Sequence, residues 1–240
     1  MAVPTPAQLL NLWEPDSRGT ASARLAALLA AVEGPGIDAD TLGQRNRRLL
    51  QLQQDLVGGS IAAHVACAAC ATDNEFEVPA GAILATPEPA AGAVVAVGDG
   101  RRHYRFRLPT MRDLAGLHGG VREAVLLRCQ LTGPRAIPAA VAASIEARFE
   151  ALDPAANIVV NIGCAGCCAS IAATVDIGDL VACDLDRLAD ALLRDIDTIA
   201  STYGWDEAAV LALPATRRRR YIAMIAARRQ TPRVVTGQRA

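Results

Sequence analysis

The chain has 240 residues with 24 basic and 25 acidic side chains, which give a formal charge of −1 and a pI near 6.3. This balance excludes a protein that covers nucleic acid or an anionic membrane with its whole surface, although local basic patches are compatible with it. The sequence contains neither a secretory signal pattern nor the ~18 uninterrupted apolar residues of a membrane span, so we expect a cytoplasmic protein.

The N-terminal part, residues 1–58, is predicted to be helical. Apolar periodicity indicates helices over 6–13 and 17–32, and a third from Asp40 to Val57 whose leucines form one apolar face. The Gly-Gly pair that follows ends this third helix.

Short extended runs replace the helical pattern from Ile61 onward. Residues 61–66 lead into a first Cys-x-x-Cys pair, and the alternation of charged and apolar residues over 75–78 is typical of a half-buried strand. Residues 93–97 and 103–108 are predicted to form a further hairpin across a Gly-Asp-Gly turn.

Helices return in the middle of the chain and at its C-terminal end. Their predicted ranges are 111–117, 121–128, 138–152, 185–203, a short helix after Trp205, and 215–229. Between them, strands over 157–162 and 171–177 flank a second Cys-x-x-Cys pair. Residues 231–240 are expected to form a flexible tail.

An internal repeat relates the two Cys-x-x-Cys pairs. Sliding the chain by 97 residues lays Ile61 to Cys70 over Ile158 to Cys167, and Val78 then falls on Val175 in the strand that follows. Each copy reads as strand, turn and strand over about twenty residues. This is the pattern of two halves of one metal ribbon.

The two pairs supply four thiols, Cys67, Cys70, Cys164 and Cys167, and Zn²⁺ prefers four such ligands in a tetrahedron. A Cys-x-x-Cys turn brings two thiolates to one ion, and two turns complete the shell. The position after each pair, where metal-binding turns usually have Gly, holds Ala71 and Cys168. Cys168 is therefore an alternative to Cys167 as fourth ligand, and a ribbon without metal or a pair of redox dithiols remain alternatives to zinc.

Catalytic residues are not indicated anywhere in the chain. A closed four-thiolate shell has no open position for water, and the sequence contains no phosphate-binding loop, nucleophile elbow or hydrolytic His/Asp/Glu cluster. Cys129 and Cys183 are predicted to be core thiols, and His64 a solvated side chain rather than a group that supports the metal ligands. We therefore expect a non-enzymatic protein without a small-molecule substrate, although a thiol oxidoreductase is a weaker alternative.

The C-terminal region carries a run of four arginines between two aromatic residues. Aromatic anchors with arginine beside them are typical of protein interfaces. The predicted partner-binding residues are Trp205, Arg217, Arg218, Arg219, Arg220 and Tyr221. Three alternatives remain open: the arginines form a solvated helix face, the aromatic rings close the domain's own core, or the chain is a zinc-ribbon nucleic-acid-binding protein. In the last case the run, with Arg101 and Arg102, would contact phosphates.

Several short segments, in a characteristic order and spacing, extend along nearly the whole chain. They are 9–14 (LLNLWE), 42–50 (LGQRNRRLL), 105–110 (RFRLPT) with 112–114 (RDL), 126–129 (LLRC), 153–156 (DPAA), 203–205 (YGW) and 213–221. In these segments the chain resembles the baseplate hub assembly chaperone family of T4-type phages and related contractile injection systems. It departs from the Cys-Pro-x-Cys-Gly form of that family at both cysteine pairs.

The resemblance implies a non-enzymatic assembly factor or structural component that works with baseplate or tail-hub proteins of the same gene cluster. It also implies a protein that acts in the cytoplasm or enters the assembled tail particle. For the fold we expect one α+β domain over 1–230, in which the N-terminal helices and those of 184–229 surround a small antiparallel zinc-ribbon-like sheet. Two hairpins, over 61–80 and 157–178, build this sheet and enclose a middle hairpin with helices over 93–152.

Overall fold

The computed structural model describes residues 3–13, 20–34, 39–98, 100, 102–114, 117 and 121–230. The chain divides into two compact units, of which unit 1 comprises residues 1–3 and 19–184 and unit 2 comprises 4–18 and 185–240. One domain over 1–230 stays a prediction, because compactness alone does not show whether the units fold independently. The tail predicted over 231–240 lies outside the described residues.

Helices and small antiparallel sheets make up the described part of the chain, so the mixed α+β class is confirmed. The helices are α1 (Pro6–Trp13), α2 (Ala21–Glu33), α3 (Leu42–Leu56), α4 (Ala80–Leu84), α5 (Met111–Leu114), α6 (Val121–Cys129), α7 (Ala139–Leu152), α8 (Ile177–Tyr203), α9 (Glu207–Leu211) and α10 (Ala215–Gln230). The strands are β1 (Ile61–Ala66), β2 (Asp73–Val78), β3 (Val94–Gly98), β4 (His103–Arg107), β5 (Gln130–Thr132), β6 (Ile158–Gly163) and β7 (Ser170–Val175). In this part of the chain, no helix is long and apolar enough to cross a membrane.

The strands form three separate sheets, with orders β1-β2, β3-β4-β5 and β6-β7. The prediction of one sheet built from both cysteine hairpins is therefore wrong. Each hairpin pairs only with itself, because the two halves meet at their turns and not along a strand edge. Alternating burial in β1 and β2, and again in β6 and β7, shows that each hairpin has one inward face.

Three further differences from the predicted elements have simple causes. β5 has only three residues, too few to show a period-2 pattern, and α4 has only five. Helix α8 begins at Ile177, which the apolar pattern had assigned to a strand, because the Asp176 carboxylate accepts the Asp179 N–H at 3.1 Å and caps the helix. Cys129 is fully buried as predicted, but Cys183 is exposed, so its prediction as a core thiol is wrong.

Buried polar contacts join α3 to two distant segments of unit 1. The N–H of Leu42 donates to the Pro109 carbonyl at 3.1 Å, and that of Gly43 donates to the Asp153 carboxylate at 2.9 Å. The Asn46 amide donates to the Ala155 carbonyl at 2.9 Å. Because Gly43 packs against Asp153, an added Cβ would lie 1.8 Å from its Oδ1, so only glycine fits there.

A bidentate ion pair fixes the segment that follows β4. Both terminal nitrogens of Arg107 lie 2.6 Å from the Asp113 carboxylate, and the Thr110 N–H donates to the same group at 2.8 Å. The Arg107 guanidinium is the main reason why the pKa of Asp113 is about 2, below its usual range. Arg107 also donates to the Arg128 carbonyl at 3.1 Å and so ties α6 to this pair.

Candidate metal centre

The two cysteine turns have the same backbone geometry. In the first turn the Cys67 N–H donates to the Thr72 carbonyl at 2.9 Å, and in the second the Cys164 N–H donates to the Ala169 carbonyl at 2.8 Å. The hairpins also share their register, since Ile61 pairs with Val78 and the residues 97 positions later pair in the same way. The internal repeat is thus a structural repeat over all six residue pairs of each hairpin.

The residue that follows each cysteine pair has the left-handed backbone expected of a metal-binding turn. Ala71 has φ 58° and Cys168 has φ 60°. Neither is glycine, so each position costs roughly 1–2 kcal/mol that the rest of the turn must offset. The turns have the expected conformation without the expected residue.

Four thiols from the two turns converge on one point. The Cys67 and Cys167 sulfurs lie 3.7 Å apart, those of Cys70 and Cys164 lie 3.6 Å apart, and all four lie within 4.8 Å of one another. Cys67 and Cys164 are buried, whereas Cys70 and Cys167 are exposed. Within the described ranges, no other group of three or more metal-binding side chains comes this close together.

These distances fit a tetrahedral metal ion. Four sulfurs at about 2.3 Å from one Zn²⁺ stand about 3.8 Å apart, whereas a disulfide would require about 2.05 Å. Each close sulfur pair joins one turn to the other. Cys67 and Cys167 are 100 residues apart in sequence, and Cys70 and Cys164 are 94 apart. The four cysteines are therefore suited to hold a metal ion, and Cys167 rather than Cys168 belongs to the cluster.

The thiols do not ionise equally. The backbone N–H of Cys167 is the largest influence on Cys164 and, with the Gly166 N–H, outweighs burial, so the pKa of Cys164 falls to about 6. The backbone at Ala169 lowers the pKa of Cys167. Hydrogen bonds with the other three thiols outweigh this effect, so the pKa rises to about 12. Of these two thiols, Cys164 is therefore the one whose thiolate form the turn favours, and a bound metal ion would favour the thiolate form of the others as well.

Asn74, a residue of β2 with no counterpart in the repeat, connects the two turns directly. Its side chain is only 5% exposed, and its carbonyl oxygen accepts the Ala165 N–H of the second turn at 2.8 Å. The amide group of the same side chain donates to the Thr72 carbonyl at 2.8 Å in the first turn. One buried side chain thus aligns both halves of the cluster.

Thr72 and Gly166 form a close contact between the turns. An added Cβ at Gly166 would lie 2.4 Å from the Thr72 hydroxyl oxygen, which leaves no space for a side chain there. The same hydroxyl lies 3.2 Å from the Cys70 sulfur and is the main reason why the pKa of Cys70 is lowered. Sequence analysis missed both residues and Asn74, although a polar residue at an inward position of an alternating strand is a signal that could have indicated Asn74.

The predicted partner-binding residues belong to unit 2. Trp205 and Tyr221 are half-buried, with ring centroids 5.2 Å apart, and both also contact the Tyr203 ring. Arg217, Arg219 and Arg220 are exposed. The aromatic rings therefore pack mainly on one another.

Arg218 differs from its neighbours and is only 5% exposed. Its guanidinium donates to the Leu213 carbonyl at 2.9 Å and lies 3.6 Å from the Asp195 carboxylate. Its prediction as a docking residue is wrong, because it is part of the interior of unit 2. His64 is exposed and lies 3.7 Å from Asp73, which agrees with a solvated side chain.

Comparison of the chain with family models, with curated proteins and with solved structures finds no match.

Proposed function

We propose that this protein is a non-enzymatic assembly factor or structural component of the baseplate hub of a contractile tail or injection system, stabilised by one zinc ion. The proposal of a zinc site rests on one observation, the four thiols at tetrahedral spacing on two turns far apart in sequence. Four protein ligands close the coordination shell and leave no position for a substrate. A structural role follows from this closed shell.

The baseplate part rests on the resemblance in sequence, and the buried contacts of unit 1 support it. Three of the segments that carry the resemblance contact one another: 42–50 meets 105–110 through Leu42 and Pro109, and 153–156 through Gly43. The ion pair of Arg107 joins 105–110 to the segments that follow it. In unit 1 the resemblance thus falls on residues that position the fold, and this supports a shared architecture.

The proposed docking surface for a baseplate or hub protein is the exposed arginine face of α10, formed by Arg217, Arg219 and Arg220. All three side chains are exposed, and the described chain contains no acidic side chain after Glu207. An acidic patch on the partner would complement this face, and it would mainly accelerate association. Arg218 takes no part, because it is held inside unit 2.

Metal analysis and co-purification test the two parts separately. We expect one equivalent of zinc per chain in protein purified without chelator; less than half an equivalent, or iron in its place, contradicts the zinc proposal. We also expect that charge reversal at Arg217, Arg219 and Arg220 preserves folding but weakens co-purification with neighbouring tail proteins and reduces assembled particles. Normal particle assembly by this variant would rule out the arginine face as the docking site.

Nucleic acid binding is the second candidate, because the same exposed arginines could neutralise phosphates. It predicts an affinity for duplex DNA that falls steeply with salt. The logarithm of the binding constant should fall with the logarithm of the salt concentration, with a slope of about −0.9 for each phosphate contacted. Absence of such binding at low salt would leave protein docking as the role of this face.

A further inference from the structure

Unit 1 contains an open cavity of about 440 Å³ where the end of α7 meets the start of β6. Its apolar wall is formed by Leu42, Leu108, Pro109, Phe149 and Val159. The volume is in the range of binding pockets for small groups. The metal centre and the arginine face of α10 use none of these residues, so the cavity is a separate site.

Every charged residue that lines this cavity is acidic. They are Glu146, Glu150 and Asp153, and none of the described residues along its wall is basic. Glu146 is already paired with Arg122, and Glu150 is exposed. The cavity therefore retains negative charge that its own wall does not neutralise.

Asp153 is the unusual member of the three because it is only 1% exposed. Its Oδ2 accepts the Gly43 N–H, but its Oδ1 has no hydrogen-bond partner among the described residues. A buried carboxylate oxygen without a partner is costly, and a donor from outside the chain would relieve that cost.

Apolar side chains continue the cavity onto the surface. Val159, which lines it, is 45% exposed, and Leu152 at the end of α7 is 39% exposed. Solvated valine and leucine beside an apolar wall provide a surface for an extended apolar segment, not for a small ion alone. The three carboxylates also do not converge as a metal site would.

We propose that this cavity binds an arginine or lysine side chain presented by an apolar segment of a protein partner. The methylene stem lies along Phe149 and Val159, and the charged head is directed to Glu150 and Asp153. Long basic side chains combine these two properties, an apolar stem and a cationic head. The proposal goes beyond the baseplate role and holds or fails independently of it.

A labelled peptide tests this site with the full-length, zinc-loaded chain. The probe is a fluorescein-labelled hexapeptide, Ala-Leu-Arg-Leu-Val-Ala, and its matched counterpart carries neutral citrulline in place of arginine. We expect the arginine peptide to bind about tenfold more tightly in fluorescence anisotropy, because only it supplies a charge to the carboxylates. Equal binding of both peptides, or no binding up to about 1 mM, overturns the proposal.

Variants of the cavity locate the binding. Glu150→Gln should weaken the arginine peptide about fivefold or more without changing the fold, since Glu150 is exposed. Glu123→Gln, a matched change at an exposed residue of α6 outside the cavity, should have no effect. Val159→Arg should abolish binding, with circular dichroism and zinc content as checks of folding.

Two outcomes contradict the assignment. If Glu150→Gln and Glu123→Gln behave alike, the peptide binds elsewhere. If the chain forms a dimer in sedimentation velocity that Glu150→Gln dissociates, while the peptide does not bind, then the cavity accommodates a second copy of this chain instead of a partner's basic side chain.

Discussion

The two cysteine hairpins are alike in backbone and unlike in side chains. Both pair six residues in the same register and close with the same turn hydrogen bonds. The first hairpin, however, carries Asn74 and Thr72, which reach to or contact the second turn, whereas the second carries Gly166, which makes space for that contact. The outer face of β2 is also acidic, with exposed Asp73, Glu75 and Glu77, whereas the outer face of β7 is neutral.

This difference separates two requirements of the site. The shared backbone places each pair of sulfurs, and any metal ribbon needs it in both halves. The unshared residues, Asn74, Thr72 and Gly166, fix one turn against the other, and we call their contacts the joint. A single copy of each is enough because each acts between the two turns. Variants at equivalent positions should therefore give equal effects for the ligands and unequal effects for the joint.

Loss of a metal ligand should have the largest effect, and the same effect in both halves. Cys67→Ser and Cys164→Ser each remove a buried thiol from the cluster. Without the metal ion, nothing offsets the entropic cost of closing a loop of roughly 100 residues. The free energy of unfolding should therefore fall by about 4 kcal/mol and Tm by about 10 °C for a chain of this length. Thermal unfolding with zinc quantified in each variant measures this, and chelator should lower the wild-type Tm equally.

Exposed cysteines outside the cluster provide the control for this comparison. Cys168→Ser and Cys183→Ser should retain zinc and Tm, whereas Cys167→Ser should lose both. Zinc retained in Cys167→Ser but lost in the double variant with Cys168→Ser would show that the turn can slip and use Cys168.

Sequence patterns predicted the repeat and the cluster of four cysteines, because both depend on local spacing that occurs twice in the chain. They did not predict which strands share a sheet, since alternation shows which residues face inward but not which strand edges meet. Arg218 shows a similar limit. Four consecutive helical residues turn through about 300°, so a run of four arginines cannot be exposed throughout a helix that packs on a core.

Substitution of Gly166 should have the next largest effect on stability, and the equivalent position of the first turn should tolerate a change. Gly166→Ala places a Cβ 2.4 Å from the Thr72 hydroxyl oxygen, and overpacking of this kind costs about 3 kcal/mol. Ala69, at the equivalent position of the first turn, is exposed, so Ala69→Gly should change stability by well under 1 kcal/mol. Denaturant unfolding compares the two, and similar losses would mean that the turns do not approach as closely as described.

Removal of Asn74 should cost less than the glycine change but should still disturb both turns. Asn74→Ala leaves the Ala165 N–H and the Thr72 carbonyl without their buried partner, which costs about 2 kcal/mol. Hydrogen exchange should show faster exchange at Ala165 than in wild type, although that residue is 91 positions away in sequence. Unchanged exchange at Ala165 would show that Asn74 supports only its own hairpin.

The smallest expected effect concerns the hydroxyl of Thr72, which only the first half possesses. This hydroxyl lies 3.2 Å from the Cys70 sulfur and favours its thiolate, whereas the equivalent residue, Ala169, has no such donor for Cys167. Thr72→Val keeps the shape of the side chain against Gly166 but removes the hydroxyl donor, so zinc affinity should fall about fivefold. Thr72→Ser should restore most of it, and competition with a chromogenic chelator measures all three proteins. If Thr72→Val binds zinc as tightly as wild type, the hydroxyl matters only for packing, and the two halves are then equivalent as metal ligands despite their different side chains.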